Sequence, residues 1–204
     1  MIEFKSIYLS FDEKKVFENF NMQVKKGEKV LLSAPSGSGK SSLFKLLLGF
    51  LRPKEGEIFF SGKRLQKSNL PFFRSHIGYV SQDVDFRNTV VWDLLVEIFS
   101  YKQNRQVEMN RGKVLALMEY FGLSKSLMEK EVNQLSGGER QRLGLIICIL
   151  LDRPVWLLDE VTSGLDTDMK EKVVEYVLKQ DRTVLIISHD KIWRKNHHVR
   201  IEEW

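Results

Sequence analysis

Eight residues, A-P-S-G-S-G-K-S at positions 34–41, constrain the fold of this chain more than any other segment. They follow an apolar run at 29–34, which predicts a short buried strand. They precede a segment with Leu43, Leu46 and Leu47 at helical spacing. A strand, a glycine-rich loop and a helix in this order let backbone N–H groups and a helix N-terminus surround phosphate groups. The sequence therefore predicts a nucleotide-binding loop on an α/β fold.

The loop assigns a role to nearly every one of its residues. Lys40 is expected to reach the β- and γ-phosphates of ATP, and the Ser41 hydroxyl is expected to bind Mg²⁺. Ala34 stands where the pattern has glycine, and we expect a small effect because alanine tolerates most negative-φ conformations. The loop alone also fits a nucleotide kinase of guanylate-kinase type. The residues expected to contact ATP here are Ser36, Gly37, Ser38, Gly39, Lys40, Ser41 and Ser42.

Uninterrupted apolar runs at 155–159 and 183–188 are typical of parallel strands that are covered on both faces. The segment 4–24 alternates polar and apolar residues, which predicts strands joined by a turn near 12–15. A helix is predicted at 168–180, with Thr167 as its candidate N-cap.

The middle of the chain, from about 84 to 151, carries helical spacing almost throughout. The predicted fold class is α/β, with a P-loop NTPase core, an N-terminal antiparallel β-subdomain and an inserted α-helical subdomain. We expect one domain over 1–204, in which the core takes residues 1–82 and 152–204 and the helical insertion takes 83–151.

The apolar run at 155–159 ends in two acids, Asp159 and Glu160. In a phosphate-loop protein, an Asp at such a strand end lies next to the loop hydroxyl, here Ser41, and holds Mg²⁺ directly or through water. The following Glu can act as a general base toward the attacking water. The pair therefore indicates hydrolysis of the bound nucleotide.

Residues 135–139 read L-S-G-G-E at the start of a predicted helix, which offers free N–H groups and a hydroxyl to an anion. This motif is the signature of the ATP-binding cassette (ABC) family, which the chain resembles over nearly its whole length. The resemblance implies that Ser136, Gly137 and Gly138 grip the γ-phosphate of ATP bound to an opposite subunit. Two chains would then enclose two ATP molecules, an arrangement for which a nucleotide kinase has no use.

The resemblance also implies roles for three residues in later motifs. Gln82, in I-G-Y-V-S-Q, is expected to contact Mg²⁺ and the attacking water and to sense a membrane partner. Asp166 ends S-G-L-D, where the family usually has S-A-L-D, and is expected at the dimer interface. His189, in L-I-I-S-H, is expected to touch the γ-phosphate.

An aromatic side chain near the N-terminus completes the set that the resemblance implies. Phe11 lies where the family places the ring that stacks on adenine, with Val16 beside it. Tyr8 and Phe17 are nearby alternatives for the stacking ring.

Composition bears on the cellular setting and on partners. No apolar run approaches the roughly 20 residues that cross a bilayer, and the first residues lack the pattern of a signal peptide. The single cysteine, Cys148, lies in an apolar run and is expected in the core. The net charge of +5 is spread along the chain with acids interleaved, so no nucleic-acid partner is expected. We expect a cytoplasmic protein that is peripheral on the cytoplasmic face of the cell membrane.

The resemblance favours an ATP-hydrolysing subunit, paired as a homodimer or as a heterodimer with another ABC ATPase, that powers an ABC transporter through separate integral-membrane permease subunits. The transported substrate and its direction then reside in those permeases. The alternative is a non-transport ABC ATPase in assembly, cell division or DNA maintenance. DNA-associated members usually carry long coiled coils or zinc cysteines, and translation factors carry two cassettes; neither pattern is present here.

Overall fold

The computed structural model describes residues 1–204, which form nine strands, seven α-helices and three short 3₁₀ turns. The strands are β1 (Ile2–Phe11), β2 (Lys14–Val24), β3 (Lys29–Ser33), β4 (Glu55–Phe60), β5 (Lys63–Arg64), β6 (Ile77–Val80), β7 (Val155–Asp159), β8 (Thr183–Ile187) and β9 (Val199–Glu203). The helices are α1 (Lys40–Leu47), α2 (Leu70–His76), α3 (Val91–Ser100), α4 (Arg111–Tyr120), α5 (Gly137–Leu150), α6 (Thr167–Lys179) and α7 (Lys191–Arg194).

The N-terminal strands form an antiparallel sheet in the order β2-β1-β4-β5. The predicted turn is tight, since Phe11 pairs with Lys14 and Asp12 takes a φ of 48°. Ile2 and Phe4, and then Ile7 and Leu9, are buried with the period of two of a strand, and a register shift lies between the two pairs. The sequence did not predict β4 and β5, which extend this sheet on the other side of β1.

The second sheet is entirely parallel, in the order β6-β7-β8-β3-β9. Every residue of β7 and β8 is buried, which explains their uninterrupted apolar sequences. Asp159 pairs with Ile187, and Leu32 pairs with Ile187 from the other side. The loops after β3, β7 and β8 therefore leave the sheet together at the carboxyl ends of its strands, which is the edge where ligands bind in open parallel sheets. The α/β class with its two sheets is as predicted.

The helical middle is only partly as predicted. Helices α3, α4 and α5 are present, but residues 101–110 form turns rather than a helix. The buried Asn104 explains the break, because its Nδ2 donates to the Ile98 carbonyl at 2.7 Å and ends α3. None of the seven helices combines the length and apolar character that a membrane span requires.

The first turn of α6 corrects a second prediction. The helix begins at Thr167, and the side chain of Asp166, not that of Thr167, accepts the Met169 N–H at 2.9 Å. Asp is the stronger cap because its carboxylate also interacts favourably with the helix dipole.

One cluster of 33 buried apolar residues spans the helical middle and the parallel sheet, including Val80, Leu117 and Trp156. The division into a core (1–82 and 152–204) and an insertion (83–151) stays a prediction, and the shared cluster indicates that the two parts pack as a continuous interior.

Cys148 lies in this cluster, and burial raises the pKa of its thiol to about 12. A raised pKa keeps the thiol protonated at pH 8, and the protonated form does not act as a nucleophile. We expect the folded protein to resist alkylation by iodoacetamide at pH 8, and the guanidinium-unfolded protein to take up one equivalent, both measured by intact mass. Rapid labelling of the folded protein would contradict the buried placement.

Candidate functional site

The phosphate loop closes on its own lysine. Lys40 Nζ donates to the carbonyl oxygens of Ala34 at 2.6 Å and Pro35 at 3.1 Å, so the ammonium lies inside the loop. Gly39 has a φ of 101°, and a Cβ there would lie 2.4 Å from Val16 Cγ1, so only glycine fits. Gly37 also has a positive φ, whereas Ala34 does not, and the position of Ala34 makes no demand for glycine.

A cavity of ≈ 230 Å³ lies above the loop, and Phe11, Lys14 and Val16 line it together with residues of the loop. The Phe11 ring is 45% exposed, whereas Phe17 is buried. Tyr8 does not line the cavity, so the geometry favours Phe11 for stacking on the base. Lys14, which no motif indicated, brings a second ammonium to the cavity. The loop residues that line the cavity are Gly37, Gly39, Lys40, Ser41 and Ser42, while Ser36 is exposed and Ser38 half-buried beside them.

Ser41 and Asp159 meet as expected, since Ser41 Oγ donates to Asp159 Oδ2 at 3.1 Å. Asp159 is only 4% exposed, and burial raises its pKa, while the Ser41 hydrogen bond and the charges of Lys40 and Lys45 lower it. A buried carboxylate with a single hydroxyl donor, beside a second oxygen ligand, matches the hard oxygen donors that Mg²⁺ prefers. The residues present therefore fit the ion.

Gln82 lies at the same sheet edge but does not reach this pair. It follows β6, is exposed, and forms no side-chain hydrogen bond to Ser41 or Asp159. The next residue, Asp83, is close enough for its charge to raise the pKa of Asp159. The expected contact of Gln82 with the metal stays a prediction.

Glu160 and His189 are adjacent. Glu160 Oε2 accepts the His189 N–H at 3.4 Å, and Glu160 Oε1 lies 3.7 Å from His189 Nε2. Burial raises the pKa of Glu160, while the hydrogen bond and charge of His189 lower it. Glu160 also has a φ of 54°, a strained conformation for this residue that the Glu160 N–H to Ile187 hydrogen bond helps to hold.

The signature residues 136–138 form the start of α5, which is capped by a side chain and exposed to solvent. Ser136 Oγ accepts the Glu139 N–H, and Glu139 Oε2 accepts the Ser136 N–H at 2.8 Å, which lowers the pKa of Glu139. A Cβ at Gly137 would meet nothing within 4 Å, and one at Gly138 would meet only the end of Arg142. None of the three signature residues lines the cavity above the phosphate loop. Asp166 does not line this cavity either. Its side chain is exposed and accepts the N–H of Met169 as the N-cap of α6.

The structure adds two contacts that no motif indicated. Trp204 Nε1 donates to the Ser38 carbonyl at 3.3 Å, and its ring packs on Phe20 at 5.3 Å, so the strand β9 region supports the phosphate loop from behind. Gln141 Nε2 donates to the Ser81 carbonyl at 3.3 Å, which joins α5 to the segment before Gln82. The isolated Trp after V-R-I-E-E is the only sequence signal for the first contact.

A glycine cradle with an internal lysine, a buried Asp beside the loop serine, and a Glu beside a histidine define a P-loop ATPase. A family model described as "ABC transporter" matches residues 17–163. An energy-coupling factor transporter ATP-binding protein of Mycoplasmopsis synoviae is 36% identical over 190 residues, covering 90% of this chain and 70% of that protein. An ergothioneine transport ATP-binding protein of Helicobacter pylori is 31% identical, covering 94% and 91%.

Among solved structures, the dimeric post-hydrolysis state of an ATP-binding cassette bound to ADP and Pi superposes with a TM-score of 0.77 at 27% identity. The match covers 93% of this chain and 88% of that one. The chain belongs to the ABC transporter family and is an ATP-binding cassette ATPase.

Proposed function

We propose that this chain binds and hydrolyses ATP to power an ABC transporter whose membrane-spanning subunits are separate chains. The observation that carries the proposal is the meeting of Ser41 with Asp159, and of Glu160 with His189, at one edge of the parallel sheet. The two relatives named above are transport ATP-binding proteins by name, and this chain spans more than two thirds of each.

In this proposal the loop N–H groups and Lys40 hold the phosphates of ATP, and Phe11 and Val16 hold its base. Ser41, Asp159 and Gln82 would hold Mg²⁺. Bound Mg²⁺ would neutralise charge on the β- and γ-phosphate oxygens.

Hydrolysis then depends on positioning and electrostatic stabilisation. Glu160 orients the attacking water and accepts its proton, for which its burial-raised pKa makes it a better base than an exposed carboxylate. His189 and Lys40 take up charge on the γ-phosphate.

The remaining contacts come from a second cassette, identical or similar. The open start of α5, which lies outside the cavity of its own chain, offers N–H groups to an anion brought by another molecule. Ser136, Gly137 and Gly138 would therefore complete the ATP site of the opposite subunit, with Asp166 at the interface between them.

The membrane partner is proposed to dock beside β6, on the cytoplasmic face of the membrane. A groove of ≈ 350 Å³ lies beside β6 and α5 there, and Tyr79, Val84, Phe86 and Arg153 are among the residues that line it. Gln82 lies between β6 and Val84, so a partner in this groove would move the segment that leads to the nucleotide.

We expect the chain to hydrolyse ATP without a phosphate acceptor. A multi-span membrane protein should co-purify with it from detergent-solubilised cells. Phe86→Asp should reduce recovery of that protein at least about tenfold, because it replaces an apolar ring of the docking groove by a charge that the partner would have to desolvate. ATP affinity should stay within about twofold, since Phe86 does not line the nucleotide cavity.

The matched control is Ile201→Asp, which introduces the same charge at an exposed apolar position of β9. Strands β6 and β9 are the two outer strands of the parallel sheet, so this position lies far from the groove. This control should leave recovery of the membrane protein unchanged.

Co-purification of DNA or of a soluble assembly complex, with no membrane protein, would contradict the transporter assignment. A strict requirement for a nucleotide acceptor would contradict hydrolysis.

A further inference from the structure

A buried hydroxyl joins the two loops that carry Glu160 and His189. Thr162 lies two residues after Glu160, and its side chain is 0% exposed. Thr162 Oγ1 donates to Asp190 Oδ2 at 2.5 Å and accepts a hydrogen bond from Trp193 Nε1 at 3.3 Å. Asp190 directly follows His189, and Trp193 lies in α7. Thr162 thus connects the loop after β7 to the loop after β8 and to the helix beyond it.

Asp190 extends this connection to a fourth segment. Its other oxygen, Oδ1, accepts a hydrogen bond from Lys170 Nζ of α6 at 2.5 Å, and both side chains are largely shielded from water. Asp190 occupies the N-cap position of α7, but its side chain forms no capping hydrogen bond. Helix capping therefore does not account for this carboxylate, which is used instead to join Thr162 to Lys170.

The direct contacts between Glu160 and His189 are weaker than this connection. Their two approaches are 3.4 Å and 3.7 Å, near the limit of a hydrogen bond, and the His189 side chain is 69% exposed. Both loops are nevertheless fixed within two residues of these side chains, at Thr162 and at Asp190. The backbone pairing of Asp159 and Glu160 with Ile187 fixes the start of both loops, and the buried pair fixes them again on the far side of Glu160 and His189.

We propose that Thr162 and Asp190 are positioning residues for ATP hydrolysis, and that they hold the Glu160 carboxylate and the His189 ring at a working separation. The role rests on the proposed function. It predicts a loss of turnover without a loss of nucleotide affinity, because the loop at 36–42 that holds the phosphates follows a different strand. Small misplacement of reacting groups is enough to lower a rate about 100-fold.

The test removes the hydroxyl without creating an orphaned donor. Thr162→Val alone would leave Trp193 Nε1 unpaired in the core, so it is combined with Trp193→Phe, which keeps apolar packing. We expect the double variant to lower kcat about 10- to 100-fold, while ADP affinity, measured by titration calorimetry, stays within about twofold. Thr162→Ser, which retains a hydroxyl, should keep kcat within about threefold of the parent.

Adding Asp190→Ala to the double variant should lower kcat by no more than about twofold further, because the link from Thr162 to Asp190 is already broken and the remaining partner of Asp190, Lys170, lies in α6 rather than in either loop. The control is Glu175→Gln, which breaks an exposed ion pair with Lys179 on α6 and should leave kcat unchanged. Parent-like turnover in the triple variant would overturn the positioning role, and so would a fall in ADP affinity that matches the fall in kcat. Either result would leave the proposed ATPase function standing. A parent chain that does not hydrolyse ATP overturns the proposed function and this role with it.

Discussion

Glu160→Gln is expected to lower ATP turnover by about 10²- to 10⁴-fold, the range that a positioned general base contributes. The amide retains the size of the carboxylate and can still accept the His189 N–H, which Glu160 Oε2 accepts at 3.4 Å. It cannot accept a proton from water at neutral pH. The loss should therefore fall on the chemical step, and ATP affinity should stay within about twofold, because Glu160 does not line the nucleotide cavity.

The same change should trap the state before hydrolysis. If two cassettes close around ATP, blocked hydrolysis leaves them closed, and size-exclusion chromatography with ATP should show a dimer that ADP does not support. The matched control is Glu203→Gln, an exposed carboxylate at the end of β9 that touches Arg194. It should neither slow turnover nor trap a dimer. Parent-rate hydrolysis by the Glu160 variant would remove Glu160 from the mechanism.

The elements around the site were predictable because their physical requirements are local. Strands β7 and β8 are buried on both faces, so their sequences are uninterruptedly apolar and stand out. The phosphate loop needs glycine where Gly39 packs against Val16, and that need is visible as a motif. By contrast, β4 reads E-G-E-I-F-F, and β5 has two residues, too short for a pattern to show. The pairing of β4 with β1 is a long-range choice, and β5 only adds a short hairpin to β4.

The side chains that support the site were not predictable for the same reason. Thr162, Asp190 and Trp204 act through partners 20 to 166 residues away in the chain. An isolated Thr or Trp in the sequence has many commoner explanations, and only the folded chain shows which carbonyl or carboxylate it meets. The turn at 101–110 also escaped prediction, because the amide of Asn104 competes with helix hydrogen bonds that the apolar spacing alone would favour.

Lys40→Ala and Ser136→Asp are expected to lower the rate of hydrolysis strongly but by different routes, which separates the two halves of the proposed composite site. Lys40 is the cation inside the phosphate loop of its own chain. Its loss should weaken ATP binding by the monomer about 10- to 100-fold, as expected for one or two hydrogen bonds to a charged group. Turnover should fall at least as far.

Ser136→Asp should leave ATP binding by the monomer within about twofold, because Ser136 lies outside the cavity that Lys40 lines. Asp caps a helix about as well as Ser, so α5 should persist. The added negative charge would face the γ-phosphate of the opposite subunit, so ATP-dependent dimers should fail to form and turnover should fall about 100-fold or more. Ser136→Asn keeps the cap without the charge, so its turnover should fall much less than that of the Asp variant. If the Asp variant instead bound ATP as weakly as Lys40→Ala does, the signature serine would act on the nucleotide of its own chain. The site would then need no partner, and specific activity would not rise with protein concentration, whereas a site shared between two chains requires that it does.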